Sequence, residues 1–445
     1  MHALKFRIIL SALAVALATP SLACVGDSNG DGVVTVAELI TGVNLALDSS
    51  PTTTCQALDA NGDDQIVVNE LIAAVSNAAV GCPLVTPTAT AVPTATPSTG
   101  SGETRCTVPD GDGVNFTADQ PFCDLLSSYR FFRDGPQQQP NDGVLPYDLN
   151  TPLFSDYALK RRFVWLPPGT SATYSLHDSF KFPVGSVLIK TFAFPRDERD
   201  ASLGERLIET RLLVHRTDKW EAITYLWNDQ QTDAKRLIIG KAVAISYPTA
   251  DGGTFTDNYQ VPNTNQCKEC HAEHDDVLGP LGPKARQLNK DYAYADGTEN
   301  ELTRWTTMGY LTGAPADPTA APKLPVFNDP STGTVEERSR AYFDANCGHC
   351  HNPTGLARTS GLYLNIDETT PGRYGVCKAP VAAGQGSGGR RVDILPGNPD
   401  GSILIYRMQS VAPGVAMPEL GRQKVHEEAV DLISQWISSL TGNCD

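Results

Sequence analysis

The apolar and polar positions change period several times along the chain. Ile8–Ala18 is a short continuous apolar run. It is preceded by Lys5 and Arg7 and followed by the small-residue site Ser21-Leu22-Ala23. That pattern predicts a secretory signal over residues 1–23, too short to span a membrane. Helical periodicity then appears twice, at Ala37–Leu47 and Asn69–Val80. Residues 83–105 are rich in Thr, Pro, Ala and Val with no core-forming period, and read as an extended linker. From 106 to 263 the signals are strand-like. Ser186–Phe194, Arg211–His215, Trp220–Trp227 and Arg236–Ile239 are short β-prone runs separated by Gly, Pro and Asp. A β-sandwich is the expected architecture there. Beyond Gln266 the chain becomes helix and loop. Leu302–Leu311, Glu336–Ala345 and the amphipathic Glu427–Leu440 are the expected helices. The fold class is therefore multidomain α+β: a small α module over 24–82, the linker, a β domain over 106–263, and mainly helical regions over 264–335 and 336–445.

Each early helix follows an acidic loop. Asp27, Asn29, Asp31, Val33, Thr35 and Glu38 occupy positions 1, 3, 5, 7, 9 and 12 of an EF-hand calcium loop, with Gly32 at the turn. A second copy begins 32 residues later with Asp59, Asn61, Asp63, Gln65 and Glu70. It carries Asp64 in place of the turn glycine and Val67 at position 9, so weaker binding is expected. The pair resembles the loop-helix modules of dockerin domains. That resemblance implies one or two Ca²⁺ ions in a structural role and permits a cohesin-like or cell-surface partner. A solvated acidic turn remains the plain alternative.

Composition narrows the partners. The net charge is −16, and Cys24–Cys82 holds eight acidic residues and no Lys or Arg. Nucleic-acid binding, which needs basic patches, is disfavoured. No later stretch approaches 18 apolar residues, so no transmembrane segment is expected. A basic redox partner is the weak inference from the acidity.

Two pentads carry the chemistry: Cys267-Lys-Glu-Cys270-His271 and Cys347-Gly-His-Cys350-His351. With 11 Cys and 8 His in 445 residues, chance gives roughly 0.005 such pentads. Cys-x-x-Cys-His is the attachment pattern of c-type haem. Two thiols on one helical turn meet the vinyl groups, and the histidine lies beneath the iron. A zinc site and a reactive Cys-x-x-Cys disulfide are the alternatives. Two covalent haem c groups are expected, with His271 and His351 as proximal ligands. Seven cysteines remain. Cys106 with Cys123 and Cys377 with Cys444 are the expected disulfides, leaving Cys24, Cys55 and Cys82 as an odd set. A lipid anchor on Cys24 is possible but not favoured.

Sixth ligands are scarcer. Met417, in Gly414-Val-Ala-Met417-Pro418, sits in an irregular loop before the last helix. Together with Cys347–His351, Pro396–Leu404 and the Trp436-Ile437 helix, it resembles a class I-like c-type cytochrome domain of secreted bacterial proteins. The resemblance implies that His351 and Met417 sandwich one iron. For the first haem, Met308 and an open position are both candidates, and His177 or His215 reaching across from the β domain is a third. Met408 is expected in the core. Asp148–Lys160, Phe182–Phe194 and Glu209–Val214 also resemble an uncharacterised family of secreted cytochromes with a β domain ahead of the haem motifs.

The expected function is electron transfer by a secreted, periplasmic or cell-surface dihaem cytochrome with unidentified donor and acceptor. The alternatives are a peroxidase- or oxidase-like enzyme with one open haem, using a group such as His274 or Glu273, and a haem-linked substrate- or carbohydrate-binding protein. No catalytic residue is assigned.

Overall fold

The computed structural model describes residues 25–28, 34–35, 38–39, 41, 57–58, 68–80, 106, 111–272, 277–419 and 421–444. The chain forms two compact units, 1–97 and 98–445. The signal segment, most of the linker, Cys24, Cys55, Cys82, Glu273 and His274 lie outside the described residues.

In the first unit, α1 (Val68–Val80) packs Ala74 and Leu71 against Leu58, Val25 and Leu39. The two sequence repeats are tied together. Gly26 N–H donates to the Ala57 carbonyl at 2.9 Å, and Asn77 Nδ2 donates to the Val25 carbonyl at 2.8 Å. Gly26 has φ +100°, and a Cβ there would stand 2.6 Å from that of Ala74, so only glycine fits.

The second unit is built on a six-stranded antiparallel meander: β1 (Val144–Tyr147), β2 (Leu159–Trp165), β3 (Val187–Pro195), β4 (Glu205–His215), β5 (Trp220–Trp227) and β6 (Ala234–Leu237). These strands are apolar on both faces because both faces are covered. Val187, Ile189, Leu212, Val214 and Ile223 pack under Phe116, Leu126, Tyr129 and Phe131. Leu188, Leu213 and Ala222, on the opposite face, pack with Leu288, Trp305 and Cys267. The expected sandwich is corrected in one respect. The second layer is not a matching sheet. It is the hairpin β7 (Lys241–Pro248) and β8 (Thr254–Val261), whose Ile245, Tyr247, Tyr259 and Val261 cover Phe192 and Phe194. Helices and loops cover the rest. β7 and β8 are exposed along one face, and β7 alternates inward Val243, Ile245 and Tyr247 with exposed Ala242, Ala244 and Ser246.

Then come α2 (Thr264–His271), α3 (Ala285–Leu288), α4 (Glu301–Thr307), α5 (Val335–Asn346), α6 (Ile403–Met408) and α7 (Glu427–Ser439). α5 and α7 enclose a separate core of Phe343, Tyr374, Ile405, Ile433 and Trp436. The stretch expected as one helix over Leu302–Leu311 ends at Thr307, and Leu311-Thr312 instead pairs in parallel with Ala172-Thr173. The Cys106–Cys123 and Cys377–Cys444 disulfides are present. Among the described residues no helix is long and apolar enough to cross a membrane.

The β region and the helical region are joined through the loop between β1 and β2. Gln287 and Thr151 exchange hydrogen bonds of 3.0 and 2.9 Å. Phe154 N–H donates to Asn346 at 2.7 Å, and Asp156 accepts from the Gln423 and Lys424 amides at 2.7 and 2.8 Å. Arg286 on α3 grips Asp344 on α5 in a buried fork, at 2.8 and 3.1 Å.

Candidate functional site: a cavity between two Cys-x-x-Cys-His turns

Each pentad is placed by a capped helix. α2 begins with a reciprocal box in which Asn263 accepts from Gln266 N–H and Gln266 accepts from Asn263 N–H, both at 3.0 Å. Its last turn carries Cys267, Cys270 and His271. α5 begins with the equivalent Thr334/Glu337 box, and its C-cap is Cys347. The turn continues past the helix end, with the Cys350 and His351 amides donating to the Cys347 carbonyl at 3.1 and 2.8 Å. Gly348 fits here because a Cβ would lie 3.0 Å from both Asn365 Cα and the Asp344 carbonyl.

The two turns open onto one cavity of about 1070 Å³, lined by all four thiols and by His271, His349, His351 and Met417. This is at the upper end of the roughly 300–1,000 Å³ of ordinary ligand pockets. The turns also touch, with Cys350 Sγ 3.5 Å from the Glu269 carbonyl oxygen.

Both terminal histidines are oriented alike. His271 Nδ1 lies 3.0 Å from the Gly279 carbonyl, and His351 Nδ1 lies 3.2 Å from that of Leu362. A carbonyl only accepts, so each Nδ1 carries the proton and each Nε2 keeps its lone pair. Burial pushes both imidazoles down to about 4 against the opposing effect of those hydrogen bonds, so both are neutral at pH 7. This is the arrangement by which an outer partner orients a metal-binding histidine.

None of the four motif cysteines is in a disulfide. Burial raises Cys267 and Cys270 and takes Cys347 up to about 12. Reactive Cys-x-x-Cys pairs run the other way, toward depressed values. Among the described residues, no three His, Cys, Asp or Glu side chains converge on a point that could hold a metal ion. The sulfurs and imidazoles are instead spread along a wall.

That wall is cationic in an acidic protein. Eight Lys or Arg residues line the cavity against four Asp or Glu (Glu269, Asp344, Asp393, Glu419). From the sheet face come Arg162, Lys190 and Arg211. Arg211 is tied to Glu209, and Arg162 binds Asp148 at 2.6 Å through Nη1 while its Nη2 has no partner. Burial, then the positive charges of Arg162, Lys160 and Arg211, hold the Lys190 amine well below its ordinary value. These groups suit an anionic, largely apolar ligand.

Met417 lines the cavity as expected, and its loop is pinned. Met417 N–H donates to the Arg407 carbonyl at 3.1 Å, and Arg422 Nη2 donates to the Met417 carbonyl at 2.8 Å. Met408 is buried in the helical core and also touches the cavity. Met308 is a correction. It is the C-cap of α4, 45 % exposed, and does not line the cavity, because α4 ends there and turns toward solvent. His177 and His215 are also not brought to the cavity. His177 pairs at the surface with Asp367 at 3.3 Å, and His215 stacks on Trp220 with ring centroids 4.4 Å apart. Sequence reasoning missed Arg162, Lys190 and Arg211. For Lys190 the signal was a charge at the centre of an otherwise apolar strand, whereas Arg162 and Arg211 lie among other charged residues of their strands.

In the acidic module, Asp27, Glu38 and Glu70 are buried. Glu38 accepts from Ser28 N–H and Oγ at 2.9 Å, and from Thr35 N–H and Oγ1 at 2.8 Å. Those bonds, Thr35 N–H foremost, lower its carboxyl to about 2. Asn29, Asp31, Val33, Asp59, Asn61, Asp63 and Gln65 lie outside the described residues.

The chain matches no protein-family model, no curated protein and no solved structure.

Proposed function

We propose that the protein is a dihaem c-type cytochrome that carries electrons. The observation that carries this reading is the pair of Cys-x-x-Cys-His turns opening onto one cavity, each with cysteines outside any disulfide and a histidine whose Nδ1 is bonded to a backbone carbonyl. The residues fit the group. Cys267 and Cys270, and Cys347 and Cys350, would form the thioethers, and His271 and His351 would bind iron. Arg162 Nη2, buried and without a partner, would supply positive charge for propionates. Met417, held by Arg407 and Arg422, is the sixth ligand of the second haem. Bound haem supplies one-electron chemistry. The residues here bury it, fix its ligands and tune its potential.

Contact between the turns, at Cys350 and Glu269, favours rapid transfer between the two groups. It also favours a carrier over a protein with one isolated reactive haem. The two disulfides fit an oxidising compartment, and secretion is part of the reading. Donor and acceptor are redox proteins. The acidic module is a structural calcium site of one or two ions, anchored by Glu38 and Glu70 and available to a cohesin-like or surface partner.

Electron paramagnetic resonance of the oxidised protein tests the carrier reading. Two low-spin haems with mutual magnetic interaction are expected. One isolated high-spin haem that reacts with peroxide would transfer the assignment to an enzyme.

A further inference from the structure

The methionines are accounted for. Met308 does not line the cavity, Met408 is packed in the core of the helical region, and Met417 is read as the partner of His351. The histidines are largely accounted for. His271 and His351 are proximal ligands. His426 has its Nδ1 3.1 Å from Tyr342 Oη and stacks on Phe154 at 4.0 Å, packed between the aromatic rings of the helical region. His177 and His215 are engaged elsewhere.

His349 is different. It is the variable residue before the second cysteine of the second pentad, it is 6 % exposed, and it lines the shared cavity. Its Nδ1 is buried with no hydrogen-bond partner among the described residues. A buried ring nitrogen left unpaired is costly and persists where something else pairs it. His349 lies two residues from His351, too close along one turn to reach the opposite face of the iron that His351 holds. Across the cavity lies the first pentad, whose Glu269 carbonyl is in contact with Cys350.

We propose that His349 is the sixth ligand of the first haem, so that the second attachment turn ligates both irons: its own through His351 and its neighbour's through His349. This rests on the dihaem reading above. It implies that the first haem is bis-histidine and closed to small molecules, and that its ligation is complete only when the second turn is in place. The two sites would then mature and titrate as a coupled pair.

The test uses the full holoprotein. Near-infrared magnetic circular dichroism of the wild type is expected to contain one bis-histidine and one histidine–methionine charge-transfer band in equal amounts. In His349→Ala, mass spectrometry should still find two covalent haems, while about half of the haem becomes high-spin and binds carbon monoxide. Added imidazole should restore the low-spin form. Two histidine–methionine bands, a wild type already half high-spin, or a His349→Ala protein with both haems still low-spin would overturn the proposal. If the variant does not mature, the wild-type bands decide alone. Absence of any covalent haem would instead remove the dihaem reading itself.

Discussion

The two attachment turns share a five-residue pattern and one cavity, yet the fold reaches them by opposite routes. The first ends a short helix laid on a β-sheet, and its cavity wall is strand backbone with inserted cations: Arg162, Lys190 and Arg211. The second follows a longer helix in an all-helical core, and its wall is a methionine loop pinned by two arginines. Each turn directs the terminal histidine by the same device, a backbone carbonyl on Nδ1. On the dihaem reading proposed above, the pattern would specify attachment and proximal ligation. What stands opposite is specified by whichever element the fold packs there. That element is a loop at the second site and, as proposed here, the second turn itself at the first.

The largest expected effect separates the sites covalently. Cys347→Ser with Cys350→Ser should remove one haem mass and leave the other, and Cys267→Ser with Cys270→Ser should do the converse. Two haems still attached in either variant would break the assignment. Next, Met417→Ala should alter only the second site. About half of the haem should gain carbon monoxide binding, and the higher of the two potentials should fall, since methionine ligation raises it. A redox titration in which both potentials move together would dissolve the distinction between the sites.

A smaller effect concerns the junction. Arg286 and Asp344 are both buried and join the two halves. Burial alone would raise the Asp344 carboxyl, but Arg286 foremost, with Lys284 and two hydrogen bonds, outweighs it and holds it below its ordinary value. Asp344→Asn removes the buried carboxylate that faces the Arg286 guanidinium. A loss of about 3–5 kcal/mol is expected in thermal or denaturant unfolding. An unchanged transition would mean the halves are stable apart.

The smallest effect is a pH dependence confined to the second half. Burial holds His426 at about 4, below the usual 6.5, so the unfolded chain binds its proton first as pH falls. Its contribution is complete above about 6.5 and is lost as pH drops toward 4, amounting to about 3 kcal/mol at the low end. In His426→Gln the slope of stability between pH 7 and 4 should become shallower by this contribution.

Much of this was legible in the sequence. Both pentads, Met417, the two disulfides and the Trp220–Trp227 strand were readable because each depends on residue type at short range. The sandwich was misread because an apolar run reports that a strand is covered on both faces but not by what. Helices and loops over Leu188 and Leu213 leave the same trace as a second sheet. Met308 was misplaced because a methionine's chain position says nothing about which way a helix C-cap turns. His349 was hidden inside the motif, where the eye stops at cysteines and the terminal histidine. Only its unpaired, buried Nδ1 separates it from a spacer.

The central claim is that this cavity is built around two covalently held haems. Intact-mass measurement of the protein produced with a haem-attachment system, together with a count of free thiols at the four motif cysteines, tests it most directly. The account predicts two added haem masses and no free motif thiols. A chain at its polypeptide mass with Cys267, Cys270, Cys347 and Cys350 recovered as thiols would contradict it.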